Sequence, residues 1–165
     1  LLYSYMMGYP GKKLLFMGGE LGQWMEWNCQ GQIDWSLLQY PSHAGLHRMV
    51  KELNEYAQSQ PALWAGDFDW GGYEWIDFSD AERSIIAYVR KGKGQQLVCV
   101  HNFTPEVYSD YLIRLRNVSK ITEVFNTDRS DYGGSGQNAV DVKLDQDGFR
   151  ITVAPLASMF FEVEF

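Results

Sequence analysis

Carboxylate and tryptophan side chains are concentrated in one short polar stretch of this sequence, residues 20–35. Five of them are of residue types that commonly bind sugars: Glu20, Trp24, Trp27, Asp34 and Trp35. Tryptophan rings are amphipathic and suit partly wet sites, where an indole face stacks against a sugar ring. Carboxylate oxygens accept hydrogen bonds from hydroxyl groups. The stretch therefore predicts a carbohydrate-compatible loop, in which Asp34 and Trp35 place an acceptor beside a ring.

The same side chains also have structural interpretations, and both interpretations stay open at this level. Glu20 follows a glycine pair and either faces a substrate, orients a catalytic group, or caps local backbone amides. Trp24 and Trp27 either stack on sugars or pack the loop against its neighbours. Glu26 is interpreted as a solvated loop charge.

A short apolar run precedes the loop and a helix follows it. Residues 14–17 are apolar and end at a glycine pair, which predicts a strand buried on both faces, as in parallel sheets. Residues 42–58 have apolar side chains at helical spacing. A strand, a decorated loop and a helix form one β/α unit. In (β/α)8 barrels the loops after the carboxyl ends of the strands build the active site.

From residue 73 onward the sequence has the period of two that is typical of β-strands. Residues 84–91 and 95–102 flank a glycine-bearing turn and predict a hairpin. Alternating patterns recur at residues 111–116, 140–145, 149–153 and 159–165. Such a series predicts an antiparallel sandwich. The predicted domains are residues 1–79, the C-terminal end of a catalytic (β/α)8 barrel, and residues 80–165, a C-terminal β-sandwich.

Charge and composition exclude several classes of function. The net charge of −7 disfavours nucleic acid and anionic membranes, which require a basic protein surface. No apolar run approaches the roughly 18 residues that a membrane helix needs. Cys29 and Cys99 make no disulfide framework and are interpreted as buried free thiols in a reducing cytoplasm. The chain begins without Met and in mid-pattern, so we expect a fragment.

Motifs for metals and nucleotides are incomplete in the sequence. His43 and His47 stand at i and i+4 of the predicted helix, but no glutamate lies between them in the pattern of a zinc protease and no third ligand is evident. The glycines of residues 133–136 do not lead from a strand into a helix, which disfavours a nucleotide site. We expect neither a metal nor a cofactor.

Ordered motifs run along the whole chain, beginning with Gly-Lys-Lys-Leu-Leu-Phe-Met-Gly-Gly-Glu-Leu-Gly-Gln-Trp-Met-Glu-Trp-Asn at residues 11–28 and Ile-Asp-Trp-Ser-Leu-Leu at residues 33–38. They continue at residues 50–54, 61–63, 73–77, 84–90, 102–105, 125–128 and 154–157. Together they closely resemble the end of the catalytic barrel and the C-terminal β domain of bacterial glycogen branching enzymes, which belong to the α-amylase superfamily.

The resemblance implies a transferase that cuts an α-1,4-glucan and reattaches the released piece as an α-1,6 branch. Its mechanism would be a retaining double displacement, with an Asp nucleophile and a Glu acid/base. In the family these carboxylates lie on barrel strands that precede this segment. The resemblance therefore implies that this chain has no catalytic residue and is inactive alone. It places Glu20, Trp24 and Trp27 at the rim of the active-site cleft. It places Asp34 and Trp35 near surface glucan sites.

The resemblance implies two partners, an α-glucan and the remainder of the chain's own catalytic barrel, in the cytoplasm. Three other functions remain open: a stand-alone α-glucan-binding sandwich, a purely structural domain, and the end of a debranching or trehalose-releasing hydrolase of the same superfamily. The lack of tryptophan after residue 75 disfavours the first of these. The Gly-Gln-Trp-Met-Glu-Trp-Asn loop at residues 22–28 favours branching over the sibling hydrolases.

Overall fold

Two antiparallel sheets and two helices make up the computed structural model, which describes residues 1–139 and 142–165. Eight strands lie in these ranges: β1 (Tyr73–Asp80), β2 (Ile85–Gly92), β3 (Gln95–Asn102), β4 (Tyr108–Ile113), β5 (Lys120–Asn126), β6 (Lys143–Asp145), β7 (Gly148–Val153) and β8 (Ser158–Glu164). The larger sheet has the order β1-β2-β3-β8-β5, and the smaller has the order β4-β7-β6. Every pair of neighbours is antiparallel. The predicted antiparallel sandwich is confirmed.

The helices are α1 (Leu2–Gly8) and α2 (Pro41–Ser59), and α2 confirms the helix predicted over residues 42–58. Short 3-10 helices cover Gly19–Leu21, Trp35–Gln39, Pro61–Leu63, Trp70–Gly72 and Ser130–Tyr132. The predicted hairpin is confirmed as β2 and β3, with Lys93 and Gly94 in the left-handed region at its turn. Of the strand predicted over residues 140–145, Val140 and Asp141 lie outside the described residues. Along the described ranges, no helix is both long and apolar enough to cross a membrane.

Both faces of the larger sheet are covered. On β2, Ala87 and Val89 belong to the core between the two sheets, whereas Tyr88 packs in a second core with α2. Phe161 and Phe160 of β8 divide in the same way, because successive side chains of a strand point to opposite faces. Most positions of the central strands β2, β3 and β8 are therefore buried, and the molecule has three layers.

The strand predicted over residues 14–17 is not formed in this structure, and the β/α unit of a barrel is not evident in the fold. The run from Leu14 to Phe16 has no regular secondary structure, and 70% of Leu14 and 53% of Phe16 are exposed. A parallel strand is stable only when its backbone amides and carbonyls are hydrogen bonded to strands on either side. In the described part of the chain, no strand runs alongside this segment.

The predicted division of the chain at residue 79 stays a prediction. In the structure β1 spans Tyr73–Asp80 and so runs across that boundary as an edge strand of the larger sheet. The two cysteines differ from each other. Cys99 is buried as predicted, and desolvation raises the pKa of its thiol to about 12. The predicted burial of Cys29 is wrong, because this residue lies in the exposed loop.

A fully buried arginine joins α1, β2 and the segment that precedes β1. The guanidinium of Arg90 donates to the Gly8 carbonyl at 2.6 Å and to the Gly72 carbonyl at 3.2 Å. It also forms a salt bridge with Asp67. Buried charges are stable when they are paired and hydrogen bonded, as here. Arg90 therefore fixes the positions of three separate segments at once.

A second buried polar group lies between the larger sheet and α1. The His101 ring is hydrogen bonded to Ser158 Oγ at 2.6 Å and to Tyr88 OH at 2.8 Å. His101 is fully buried, and desolvation, with a smaller contribution from the amino terminus, lowers the pKa of its imidazole from 6.5 to about 3. The imidazole is neutral in the folded protein at neutral pH, and the buried hydroxyls satisfy its ring nitrogens.

The low pKa of His101 predicts a loss of stability in acid. Between about pH 6.5 and about pH 3, the unfolded chain binds a proton at this histidine and the folded chain does not. The contribution is therefore complete above pH 6.5 and falls as the pH decreases. At about pH 4.5 we expect His101 to account for a loss of about 2–3 kcal/mol relative to neutral pH. Urea unfolding at the two pH values measures this loss.

The control for this experiment is His101→Gln, which keeps hydrogen-bonding capacity but does not titrate. Carboxylates titrate in the same range in both proteins, so the difference between their pH slopes isolates the histidine. Equal slopes for the two proteins would contradict the burial of a neutral imidazole at this position.

A buried hydroxyl without a partner predicts a stabilising substitution. Within the described residues the Tyr56 hydroxyl is inaccessible to solvent and neither donates nor accepts a hydrogen bond. An unsatisfied buried polar group costs about 1–3 kcal/mol. We expect Tyr56→Phe to raise the free energy of unfolding by up to about 1 kcal/mol in urea titrations, because it keeps the ring that stacks on Phe125. A clear loss of stability would show that the hydroxyl has a partner in solution.

Candidate functional site

The loop that carries the predicted site residues is fixed against the start of α2. Gly18 and Gly22 have φ values of 79° and 62° on either side of a 3-10 turn, a conformation that glycine adopts without strain. Leu21 lies in that turn and is fully buried. Its carbonyl accepts a hydrogen bond of 2.6 Å from Nδ1 of His43 on α2. The turn is thereby tied to the helix, and the residues after it project outward.

Trp24 packs edge-on against α2 and leaves most of its ring in solvent. Its ring centroid lies 4.9 Å from that of His43 and 5.4 Å from that of Tyr40. Nevertheless 71% of Trp24 is exposed. The two neighbours hold the indole in place and leave the rest of its surface open, which is the arrangement that a stacking platform requires.

Asp34 and Trp35 begin the 3-10 helix that leads into α2. The Asp34 carboxylate caps this helix by accepting from the amide of Ser36 at 3.2 Å and from its hydroxyl. The Asp34 amide in turn donates to Oε1 of Gln23 at 3.2 Å, which ties the helix to the residue before Trp24. One oxygen of the Asp34 carboxylate is therefore already used in capping the 3-10 helix. Trp35 is half exposed and meets His47 edge-on at 6.4 Å.

Glu20 lies at a shallow groove of about 280 Å³ between the loop and α2, together with His47 and Lys51. Because His47 also contacts Trp35, Glu20 and Trp35 flank the same histidine. Trp27 lies elsewhere on the loop, where its ring packs edge-on against Phe16 at 5.4 Å. The structure thus places Trp24 and Trp35 against the first two turns of α2, with Asp34 next to Trp35. Glu20 lies at the groove along α2 that His47 also lines. Trp27 instead contacts the segment before the loop.

Sequence reasoning missed the residues of α2 that position the tryptophans. His43 and His47 were considered only as metal ligands, although their spacing at i and i+4 places both on the face that meets Trp24 and Trp35. Along residues 1–139 and 142–165, no group of three or more potential ligands lies together that could hold a metal ion. We call the set Trp24, Asp34, Trp35 and Tyr40 the α2 platform. It offers indole and phenol faces with carboxylate acceptors nearby, which can bind a polyhydroxylated chain.

The fold defines a class: an antiparallel sandwich whose larger sheet carries a helical layer on its outer face. The family model "Alpha amylase, C-terminal all-beta domain" matches residues 75–164. The chain belongs to this family. The match begins within β1 and ends within β8, so it covers both sheets.

Curated relatives match nearly the whole chain. The 1,4-alpha-glucan branching enzyme GlgB of Protochlamydia amoebophila is 48% identical over 99% of this chain and 23% of its own length. The GlgB of Halothermothrix orenii is 46% identical over 98% of this chain and 27% of its own length. The resemblance to branching enzymes is thereby confirmed, and the chain spans about a quarter of the length of these relatives.

Solved structures share the fold at much lower identity. The alpha-amylase from H. orenii has a TM-score of 0.64 at 17% identity, over 98% of this chain and 34% of that one. The trehalulose synthase MutB from Pseudomonas mesoacidophila has a TM-score of 0.60 at 15% identity, over 99% and 37%. These likenesses extend over the helical layer as well as the two sheets.

Proposed function

We propose that this chain is the C-terminal segment of a 1,4-alpha-glucan branching enzyme, which transfers α-1,4-glucan segments to α-1,6 branch positions. The observation that carries the proposal is an identity of 48% to a GlgB over 99% of the chain. The reaction requires a pair of carboxylates that act as nucleophile and acid/base. We place those groups in the part of the longer protein that this segment does not cover, and we expect the segment alone to be inactive on amylose.

In the longer protein, residues 1–79 complete a (β/α)8 barrel. Support comes from the apolar side chains of Leu14, Leu15 and Phe16, which are exposed here and have the composition of a buried strand. Neighbouring barrel strands would supply the hydrogen bonds that this segment lacks. The remainder of the barrel is thus the segment's first partner, and Glu20 and Trp27 then lie beside the active-site cleft.

The second partner is the α-glucan itself, held on the α2 platform. Trp24 in the loop and Trp35 in the preceding 3-10 helix leave much of their rings exposed beside adjacent turns of α2, where His43 and His47 contact them edge-on. Glucan chains have apolar faces that stack on such rings and hydroxyls that donate to acceptors at the ring edge. The site requires no cofactor.

Calorimetric titration with maltoheptaose tests this site. We expect saturable binding that Trp35→Ala weakens about tenfold, or about 1.4 kcal/mol, since it removes one stacking surface. Trp64→Ala is the matched control, because Trp64 is similarly exposed but lies outside the α2 platform. Unchanged affinity in Trp35→Ala, or an equal loss in Trp64→Ala, would overturn the proposed site. Any branching of amylose by the segment would overturn the placement of the catalytic carboxylates.

A further inference from the structure

The loop between β5 and β6 is closed around one buried carboxylate, and we call residues 128–137 the Asp128 loop. Asp128 is 6% exposed, and its carboxylate accepts from the amides of Ser135 and Gln137, both at 2.9 Å. It also accepts from the Ser135 hydroxyl at 2.6 Å. Gly134 passes so close that an added Cβ would lie 2.3 Å from the Asp128 carbonyl oxygen. The glycine-rich sequence of the loop therefore serves its tight closure.

The Asp128 loop contacts α2 at two places. An added Cβ on Gly45 of α2 would lie 2.8 Å from the carbonyl oxygen of Tyr132, so only glycine fits at this crossing. Further along the helix, the Glu52 carboxylate accepts from the Tyr132 hydroxyl and, at 3.3 Å, from the Arg129 guanidinium. Gly45 and Glu52 are seven residues apart, about two helical turns, and so lie on one face of α2. The loop thus supports α2 along one side.

Tyr132 is itself fixed in place. It is 8% exposed, and its ring stacks on that of Phe125 in β5 with the centroids 6.1 Å apart. The guanidinium carbon of Arg129 lies 4.8 Å from the centroid of the tyrosine ring. Phe125 belongs to the core between the larger sheet and α2. The tyrosine is therefore a rigid connection between the sandwich and the helix.

The α2 platform contacts the opposite side of the same helix. His43 and His47 contact the two tryptophans of the platform. Their face lies about 140–180° around the helix axis from the face of Gly45 and Glu52. Leu53 and the rest of the buried stripe lie between the two faces, toward the larger sheet. Because a helix moves as a rigid body over two turns, a displacement at the loop also displaces the histidines.

We propose that the Asp128 loop is a positioning clamp for the α2 platform. Tyr132, through its contacts with Gly45 and Glu52, sets the position of α2 on the sheet, and α2 in turn sets the position of the platform tryptophans. The consequence for binding rests on the proposed function, which assigns the platform its glucan. The sandwich then contributes to substrate binding without contacting the substrate.

Two variants displace the clamp. Gly45→Ala places a methyl group against the Tyr132 carbonyl, and Tyr132→Phe removes the hydrogen bond to Glu52 but keeps the ring. In the ¹⁵N-labelled chain without sugar, we expect each variant to shift the indole Nε1–H signals of Trp24 and Trp35. Each should also raise the dissociation constant for maltoheptaose about fivefold, a size typical of coupling through residues that do not contact the ligand.

The matched control is Tyr111→Phe, which removes a comparable bond of 2.7 Å between a tyrosine hydroxyl and Asp80 on the smaller-sheet side of the sandwich. It should leave the platform signals and the dissociation constant unchanged. Glu52→Ala should reproduce the effect of Tyr132→Phe, and the double variant should be no weaker than either single variant, since the two residues form one contact. Glu52→Gln keeps an acceptor for the hydroxyl and should restore most of the affinity.

Each outcome decides for or against the clamp. Unmoved Trp24 and Trp35 signals in both Gly45→Ala and Tyr132→Phe would overturn it, even if both variants lose stability, because the loop would then be purely structural. Equal shifts in Tyr111→Phe would also overturn it. If Gly45→Ala does not fold, Tyr132→Phe decides alone. A wild type that binds no maltoheptaose would overturn the α2 platform, and the signals without sugar would still decide whether the clamp positions it.

Discussion

Replacing Arg90 with methionine is expected to destabilise the fold by about 3–5 kcal/mol, the usual cost of removing one partner from a buried ion pair. The variant leaves the Asp67 carboxylate and the Gly8 and Gly72 carbonyls without their donor. Urea unfolding measures the effect. The matched control is Arg116→Met, which breaks an exposed pair with Asp147 and should cost less than about 1 kcal/mol. Similar losses for the two variants would show that the buried contacts of Arg90 contribute no more to stability than an exposed ion pair does.

Phe160→Ala is expected to cost about 3–5 kcal/mol, since Phe160 is fully buried between the larger sheet and α2. Phe161→Ala, its neighbour on the opposite face, should cost a similar amount. The informative measurement is the number of transitions. Five of the six tryptophans precede β1, so indole fluorescence follows mainly the first part of the chain, whereas far-ultraviolet dichroism follows the helices and strands together.

We expect both probes to report one coincident transition in the wild type and in both variants, because the second core joins α2 to the larger sheet. Two separated transitions in Phe160→Ala would mean that the helical layer and the sandwich unfold independently. Such a result would favour the predicted division of the chain at residue 79.

Elements that depend on local signals were predictable from the sequence. The β2–β3 hairpin has its glycine at the turn, and α2 has its apolar residues at helical spacing. Strand β5 was missed because a bulge between Glu123 and Phe125 breaks the period of two. Ile121 consequently faces the core between the sheets, whereas Phe125 faces the helical layer. The alternation of apolar and polar residues that predicts a strand is interrupted at such a bulge.

Features that depend on contacts across the fold were not predictable. The apolar run at residues 14–17 has the composition of a buried strand, but strand formation also needs neighbours, and the sequence of one segment does not show them. From the sequence alone, an arginine in an alternating strand suggests an exposed charge. In the structure the helical layer covers that face of the sheet, and Arg90 is fully buried. In the candidate site, the five residues were identified by type. The contacts of Trp24 with His43 and of Trp35 with His47 arise only when the loop folds onto α2.

The position of β8 in the larger sheet bears on how this segment folds during synthesis. β8 lies between β3 and β5, yet it follows both of them in the chain. During synthesis β3 and β5 leave the ribosome before β8, and their facing backbone groups stay unpaired until β8 follows. Unpaired apolar edges of this kind are aggregation-prone. The larger sheet can close only once Ser158–Glu164 has left the exit tunnel, and until then the facing edges of β3 and β5 are open to pairing with other chains.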